Sequence, residues 1–97
     1  MEPTDKPLGI AFFGAGDVSG LHADGVHKCP DAHLVGLWNR TPELGREKAA
    51  TFGCRTYETP ELLLADPAVD AVSILTNLET HLEFASMALK AGKHVLV

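Results

Sequence analysis

The sequence predicts an α/β fold, namely an incomplete, doubly wound parallel sheet of about five strands with intervening helices. Short apolar runs recur along the 97 residues, and a run bounded by glycine is typical of a strand buried on both faces. Each run alternates with a segment that suits a helix, and this alternation indicates parallel βαβ units with right-handed crossovers. In addition, the first strand leads directly into two closely spaced glycines, Gly14 and Gly16.

Turn and capping residues set the boundaries of these elements. Pro30 ends the first helix, because proline disfavours helical backbone in the residue before it. Thr41-Pro42-Glu43 and Thr59-Pro60-Glu61 each combine a hydroxyl N-cap, an initial proline and an early acid, which predicts a helix start. Gly53 and Gly92 suit left-handed helix ends. The predicted strands are Leu8–Phe13, Leu34–Trp38, Arg55–Tyr57, Ala71–Leu75 and His94–Val97. The predicted helices are Val18–Lys28, one from Pro42 to its end at Gly53, a brief one that starts at Thr59-Pro60-Glu61 and stops at Asp66-Pro67, and Glu79–Ala91.

The last predicted helix carries apolar residues at helical spacing. Leu78, Leu82, Ala85 and Leu89 would share one face of that helix. We expect this face to pack in the core. Residues 1–7 form a polar leader with two prolines, and we assign residues 8–97 to one domain.

Composition limits the classes of partner. The formal charge is −5, with 45% apolar and 22% charged residues, which is ordinary for a globular protein. An acidic balance argues against a nucleic-acid surface. We expect no membrane span and a cytoplasmic location, because there is neither a run of about 20 apolar residues nor a signal peptide. Cys29 and Cys54 suit free thiols, and the histidines lack metal-ligand spacing.

The glycine-rich loop after the first strand predicts a nucleotide site. Pyrophosphate binds to backbone N–H groups at a helix N-terminus, and glycines at the first two positions leave room for it. Gly14 and Gly16 meet this demand, whereas Ser19 stands where a third glycine usually lies. That third position serves close helix–strand packing, which a small serine preserves. We expect Asp17 to cap the helix; the competing interpretation is a strand–helix turn that binds no nucleotide.

The end of the second strand bears on which nicotinamide cofactor fits. An acid there accepts hydrogen bonds from the ribose hydroxyls and repels a 2′-phosphate. In this sequence Asn39 is uncharged, Arg40 can pair with a phosphate and Thr41 can donate a hydrogen bond. These residues favour NADP, with NAD as the alternative. The competing interpretation is a solvated arginine and a threonine that only caps the helix.

The sequence resembles the N-terminal domain of the glucose–fructose oxidoreductase / inositol dehydrogenase / rhizopine catabolism (Gfo/Idh/MocA) family from Leu8 to Val97. The most specific stretch is ETHLEFASMALKAGKHVLV, residues 79–97. Family members carry Thr-Pro-Asn-x-x-His after the fourth strand, and Thr76 and His81 match its ends. The Ala-Gly-Lys-His-Val block matches residues 91–95, and His22 matches a histidine that often follows the glycine loop. Two residues depart from the pattern, since Asn77 replaces proline and Leu78 replaces asparagine.

The resemblance implies a nicotinamide-dependent oxidoreductase that acts on a sugar, a polyol or a related carbinol, and a homo-oligomer when full length. The family continues with Glu-Lys-Pro and a second α/β domain that together supply the catalytic groups, so we expect no catalytic residue in this chain. His81 would lie near the nicotinamide, or would be a helix-start residue satisfied by neighbouring backbone. The cofactor-binding candidates are Gly14, Ala15, Gly16, Asp17, Val18, Asn39, Arg40, Thr41, Leu75, Thr76, Asn77 and His81.

Two other functions stay open at this point. One is a non-catalytic nucleotide-binding regulatory module, which would use the same loop without a substrate domain. The other is an α/β domain that binds S-adenosylmethionine, which Asn39 disfavours because an acid normally holds that ligand's ribose.

Overall fold

The computed structural model describes residues 7–16 and 18–96 and confirms the α/β fold. The largest boundary difference is at the second strand, which begins two residues earlier than predicted because Ala32 already pairs with Leu8. Asp17, Val97 and most of the leader lie outside the described residues. The elements are β1 Leu8–Phe13, α1 Ser19–Lys28, β2 Ala32–Trp38, α2 Pro42–Phe52, β3 Arg55–Thr56, α3 Pro60–Ala65, β4 Ala71–Ile74, α4 Leu78–Lys90 and β5 His94–Leu96.

The strands form one parallel sheet in the order β3-β2-β1-β4-β5. The chain runs outward from β1 through β2 to β3, then crosses back and runs outward through β4 to β5. Such a reversal of direction makes the sheet doubly wound, with a switch point between β1 and β4. At the carboxyl end of β1, Phe13 lies opposite Trp38 of β2 on one side and Ile74 of β4 on the other.

The central strand β1 is buried on both faces, as its apolar run predicts. Ile10 and Phe12 point to one face, where they pack in a cluster with Ala23 of α1 and Ala49 of α2. The intervening residues point to the other face and pack against residues of α3 and α4. Because alternate side chains of a strand face opposite sides, one six-residue strand joins both halves of the core. The second cluster comprises Ala11, Phe13, Val35, Leu63, Leu64, Val69, Val72, Ile74, Phe84 and Ala88.

The prediction of which face of α4 packs in the core is wrong. Leu82 is 81% exposed and Leu89 64% exposed, whereas Phe84 and Ala88 are the buried residues of this helix. Ala85 is half-buried at the edge of the core, and the side chain of Leu78 lies outside the described part. The rotation of the helix follows from Phe84, whose ring lies 4.9 Å from Phe13. Residues two apart on a helix of 3.6 residues per turn point to nearly opposite sides, so burying Phe84 exposes Leu82.

The helix ends agree with most of the capping predictions. Thr59 caps α3, since its Oγ1 accepts a hydrogen bond from the Leu62 N–H at 3.1 Å. Gly53 (φ +70°) and Gly92 (φ +79°) have the left-handed backbone that favours glycine. Thr41 precedes α2 as predicted, but its side chain makes no capping hydrogen bond. The Thr41 carbonyl oxygen accepts the first hydrogen bond of the helix, from the Gly45 N–H at 3.0 Å.

A polar network ties β3 to the end of α3. Arg55 Nη1 and the Tyr57 hydroxyl both donate to Asp66 Oδ2, at 2.7 and 2.5 Å, and the Ala68 N–H donates to Oδ1 at 2.9 Å. These bonds, led by the one from Tyr57, hold the pKa of Asp66 below its ordinary value. Burial, together with the bond to Asp66, raises the pKa of Tyr57 to about 12. Each of these shifts marks an interaction that is made in the folded chain.

Lys93, which belongs to the stretch that resembles the family, lies away from the glycine loop. Its Nζ donates to the carbonyl oxygens of Asp66 at 3.1 Å and Val69 at 2.6 Å. Those carbonyls belong to the connection that leads from α3 into β4. Lys93 therefore holds this connection against the turn before β5, and its contacts are structural. None of the helices in the described part of the chain is both long and apolar enough to span a membrane.

Candidate dinucleotide site

A cavity of about 630 Å³ opens at the carboxyl ends of β1, β2 and β4. It lies beside the switch point between β1 and β4, which is where doubly wound sheets bind ligands. Three loops that are distant in sequence meet around it. The lining residues are Gly14, Ala15, Gly16, Trp38, Asn39, Arg40, Leu75, Thr76, Asn77, Thr80, Glu83 and Phe84.

The two glycines of the loop serve different purposes. Gly14 has φ +106°, and a Cβ there would lie 3.0 Å from the carbonyl carbon of Leu75 and 3.1 Å from the Thr76 nitrogen. The residue must therefore be glycine for the chain to turn and pass the end of β4. Gly16 has no such restriction, because a Cβ built on it meets no atom within 4 Å. The space above Gly16 is open, as a site for a phosphate group requires.

The third position of the loop pattern is occupied by Ser19, which is fully buried. Its Oγ donates to the carbonyl oxygen of Gly16 at 2.7 Å, and its N–H donates to the same oxygen at 3.0 Å. Serine thus preserves the close packing of α1 and also fixes the loop with its hydroxyl. The residue before α1 is Val18, which is half-exposed and makes no side-chain cap. Asp17, predicted as the cap, lies outside the described residues.

Asn39, Arg40 and Thr41 follow β2, as predicted, but they differ in what they contact. Asn39 Oδ1 accepts a hydrogen bond from the Ala15 N–H at 2.9 Å, and Asn39 Nδ2 donates to the Thr41 carbonyl oxygen at 3.0 Å. Arg40 is exposed and lines the cavity. Thr41 is exposed and is not among the lining residues. The charged side chain that faces the cavity from this segment is therefore Arg40.

Aromatic rings form one wall of the cavity. Trp38 is half-buried and packs edge-on against Phe13, with ring centroids 6.1 Å apart, and against Phe84 at 5.4 Å. The sequence left open whether Trp38 belongs to the core or to a pocket wall, and it serves as both. An aromatic ring with one face toward a cavity offers an apolar contact area that suits a planar base.

The segment after β4 forms the opposite wall. Leu75, Thr76 and Asn77 all line the cavity. Asn77 has φ −65°, which is the value that proline imposes, so the backbone keeps the shape of the family's proline. The Thr80 hydroxyl donates to Thr76 Oγ1 at 2.7 Å. This bond ties the first turn of α4 to the loop that bears Thr76.

His81 lies on the other side of this loop, in a neighbouring cavity of about 490 Å³ that also includes Val18, His22 and Ser73. Its Nε2 is 2.7 Å from the carbonyl oxygen of Thr76. A carbonyl oxygen only accepts hydrogen bonds, so Nε2 is the donor in this contact. The neighbouring backbone therefore satisfies Nε2 of His81, as one interpretation expected.

Most of the predicted residues thus meet around the first cavity, while Val18 and His81 line the second. Three lining residues were missed by the sequence analysis: Thr80, Glu83 and Phe84. Thr80 and Phe84 are four residues apart, as are Thr76 and Thr80, and this i,i+4 spacing after a strand end was the available signal. Among the described residues, no three His, Cys, Asp or Glu side chains lie close enough together to hold a metal ion.

The chain is similar to known proteins in sequence and in fold. A family described as "Oxidoreductase family, NAD-binding Rossmann fold" (GFO_IDH_MocA) matches residues 8–97. UDP-N-acetylglucosamine 3-dehydrogenase of Acidithiobacillus ferrooxidans is 36% identical over 85 residues, which are 88% of this chain and 26% of that protein. The chain spans about a quarter of the length of the curated relatives that it matches.

Two solved structures superpose closely. Biliverdin reductase from Synechocystis, in complex with biliverdin and NADP+, gives a TM-score of 0.85 at 31% identity, over 93% of this chain and 28% of that one. The WlbA dehydrogenase from Bordetella pertussis, in complex with NADH and UDP-GlcNAcA, gives a TM-score of 0.87 at 26% identity, over 93% and 28% of the two chains. With the glycine loop, the switch-point cavity and the family match in agreement, the chain belongs to the Gfo/Idh/MocA oxidoreductase family and carries its NAD-binding Rossmann fold.

Proposed function

We propose that this chain binds NADP(H) in the cavity at the carboxyl edge of the sheet and is the cofactor domain of an oxidoreductase. The observation that carries the proposal is the open space above Gly16, in a cavity that Gly14 and Arg40 also line. A Cβ on Gly16 would project into that space, so the loop leaves room for a group that approaches the backbone closely.

The other walls fit the remaining parts of the cofactor. Helix α1 has ten residues, and its N-terminus follows the loop, so its dipole favours the negative charge of a pyrophosphate. Trp38 and Phe84 provide an apolar wall for the adenine ring. Thr76 and Asn77 border the cavity near the end of β4, where we propose that they face the nicotinamide half. Val18 and His81 would approach that half from the neighbouring cavity.

Arg40 supports NADP(H) over NAD(H). It is an exposed cation that lines the cavity directly after β2, and a guanidinium binds phosphate through paired N–H groups. The strand-end position holds Asn39, which lacks the carboxylate that would repel a 2′-phosphate. Solved relatives carry either cofactor, since one contains NADP+ and another NADH, so the preference proposed here depends on Arg40 and Asn39.

The activity of the whole protein is a further part of the proposal. When bound, the nicotinamide supplies the hydride donor or acceptor. This chain would bind and orient the cofactor, and a second domain would bind a sugar, a polyol or a related carbinol. The similarity to a UDP-sugar dehydrogenase supports that substrate class. We also propose a cytoplasmic homo-oligomer, and the free thiols of Cys29 and Cys54 are consistent with a reducing compartment.

The chain offers its own reporter for a binding test. Trp38 is the single tryptophan and lines the cavity, so a bound nicotinamide cofactor should quench its fluorescence. We expect NADPH to bind more tightly than NADH, and Arg40→Ala to weaken NADPH binding by about tenfold with little effect on NADH. Arg46→Ala is the matched control, because Arg46 is an exposed arginine of α2 that does not line this cavity.

Two results would contradict the proposal. If neither nucleotide quenches the Trp38 fluorescence of the folded protein, the loop is only a strand–helix turn. Equal loss of NADPH and NADH binding in Arg40→Ala would mean that Arg40 does not contact the 2′-phosphate.

A further inference from the structure

The side chain of Asn39 connects two loops of the cavity. Its Oδ1 accepts from the N–H of Ala15, in the glycine-rich loop, at 2.9 Å. Its Nδ2 donates to the carbonyl oxygen of Thr41, in the segment that enters α2, at 3.0 Å. The first contact joins residues that are 24 positions apart in the sequence. One carboxamide thus bridges the loop that would hold pyrophosphate and the segment that bears Arg40.

The bridge is held from a third side by helix α2. A Cβ placed on Gly45 would lie 3.2 Å from Asn39 Cβ, so the helix backbone packs directly against the base of the asparagine side chain. Gly45 is itself buried, and its N–H donates to the Thr41 carbonyl oxygen at 3.0 Å. The oxygen that Asn39 contacts is therefore fixed by the first turn of α2. Helix α2 thus supports both the base of the Asn39 side chain and the oxygen to which its carboxamide donates.

The chemistry of the bridge requires an amide. One end must accept from an N–H and the other must donate to a carbonyl oxygen, and only asparagine or glutamine has both an acceptor and a donor in this geometry. An aspartate would keep the bond from Ala15 but would place a second acceptor against the Thr41 oxygen. Since Nδ2 is a donor, that end of the side chain does not accept a hydrogen bond from a ribose hydroxyl, as a carboxylate oxygen would.

We propose that Asn39 is a positioning residue for cofactor specificity, which couples the glycine-rich loop to the Arg40 segment. The inference rests on the proposed NADP(H) function and deepens it. In this account Asn39 sets the distance between the pyrophosphate loop and Arg40, so that a phosphate on the ribose meets the guanidinium. Loss of the bridge then reduces selectivity for a 2′-phosphate, although Asn39 itself does not bind that phosphate.

Two measurements on this chain test the bridge and its consequence separately. The first is amide hydrogen exchange at Ala15 by NMR, without nucleotide. We expect exchange to be about fivefold to tenfold faster in Asn39→Ala, because one hydrogen bond is lost, and close to wild type in Asn39→Asp, which keeps the acceptor. Unchanged exchange in Asn39→Ala would mean that the bridge does not form.

The second measurement compares the affinities for 2′,5′-ADP and 5′-ADP, whose ratio reports selectivity for the 2′-phosphate. We expect Asn39→Ala to lower this ratio by about fivefold. We also expect Arg40→Ala to lower the ratio much less in the Asn39→Ala background than in wild type, since residues that act through one another couple non-additively. Independent, multiplicative effects of the two substitutions would overturn the inference. So would equal weakening of both nucleotides in Asn39→Ala, which a purely structural role predicts.

The outcomes also separate this inference from the proposed function. If wild-type protein binds neither nucleotide, the NADP(H) function and the specificity role fail together, whatever the exchange at Ala15 shows. If wild type prefers 2′,5′-ADP and Asn39→Ala keeps the same ratio, only the role of Asn39 fails. Gly45→Ala provides a second perturbation in case Asn39→Ala does not fold, because it displaces Asn39 without altering its amide. We expect it to lower the same ratio, and an unchanged ratio in folded Gly45→Ala would contradict the positioning role.

Discussion

Substitution by alanine should affect stability at Gly14 and cofactor affinity at Gly16. In Gly14→Ala the new Cβ meets two backbone atoms at 3.0 and 3.1 Å, and the residue must adopt φ +106°. Backbone strain of this kind costs about 1–3 kcal/mol, and overpacking adds about 1–3 kcal/mol. Reduced entropy of the unfolded chain offsets about 0.4–1 kcal/mol. The free energy of unfolding should therefore fall by about 1–6 kcal/mol.

Gly16→Ala is the matched control for this substitution. Its Cβ meets no atom within 4 Å, and the residue is not among those with positive φ. We expect the free energy of unfolding to stay within about 0.5 kcal/mol of wild type. The affinity for NADPH, however, should fall by about tenfold or more, because the methyl group occupies the space proposed for the phosphate.

Urea unfolding of the two variants, followed by circular dichroism, is the assay for stability. A shift of the midpoint with an unchanged m-value reports a change in stability alone. Gly14→Ala that is as stable as wild type would contradict the strain assigned to that position. So would Gly16→Ala that, without ligand, is destabilised as much as Gly14→Ala. Gly16→Ala that binds NADPH normally would refute the placement of the phosphate.

Four further predictions concern stability. Because the pKa of Asp66 is lowered in the folded chain, its network stabilises the fold above the unfolded pKa of about 4, and this stabilisation is lost as pH falls below that value. Asp66→Asn should therefore reduce the change in the urea midpoint between about pH 3 and 6. A variant whose midpoint depends on pH as steeply as that of wild type would contradict this. The pKa of Tyr57, raised to about 12, predicts stability that falls between about pH 10 and 12, and Tyr57→Phe should remove that component. Lys93→Met should cost about 1–2 kcal/mol, since it removes charge-assisted bonds to two carbonyls, whereas the exposed Lys90→Met should be neutral in the same urea titration. Asn77→Pro should increase the free energy of unfolding by about 0.4–1 kcal/mol, because the φ of Asn77 is already −65°. The melting temperature should therefore rise slightly. A lower melting temperature would mean that the Asn77 N–H is needed.

Much of the fold could be predicted because the decisive signals are local. The continuous apolar run of β1 predicts burial on both faces, and its alternate residues do pack on opposite sides of the sheet. Proline and glycine determine where helices begin and end through backbone geometry that needs no tertiary partner. The three loops of the cavity could likewise be anticipated, because the carboxyl ends of parallel strands meet at one edge of the sheet.

What the sequence did not reveal depends on contacts between distant residues. The exposed leucines of α4 have the same spacing as a core face, and only the packing of Phe84 against Phe13 and Trp38 decides the rotation of the helix. The hydrogen bond from the Ala15 N–H to Asn39 Oδ1 likewise joins two loops whose residues are 24 positions apart. Propensity and spacing carry no information on such pairs, because each bond forms only once two loops have been brought together.

The most direct test of the central claim is an NMR titration of the 15N-labelled chain with NADPH. We expect amide shifts to concentrate in residues 14–16, 38–40 and 75–84, the three segments that contain the lining residues of the cavity. The groove between His33 and Arg55, at the opposite edge of the sheet, should show no change. Shifts that cluster in that groove, or a folded protein whose spectrum does not change, would contradict the claim that this edge of the sheet holds the cofactor.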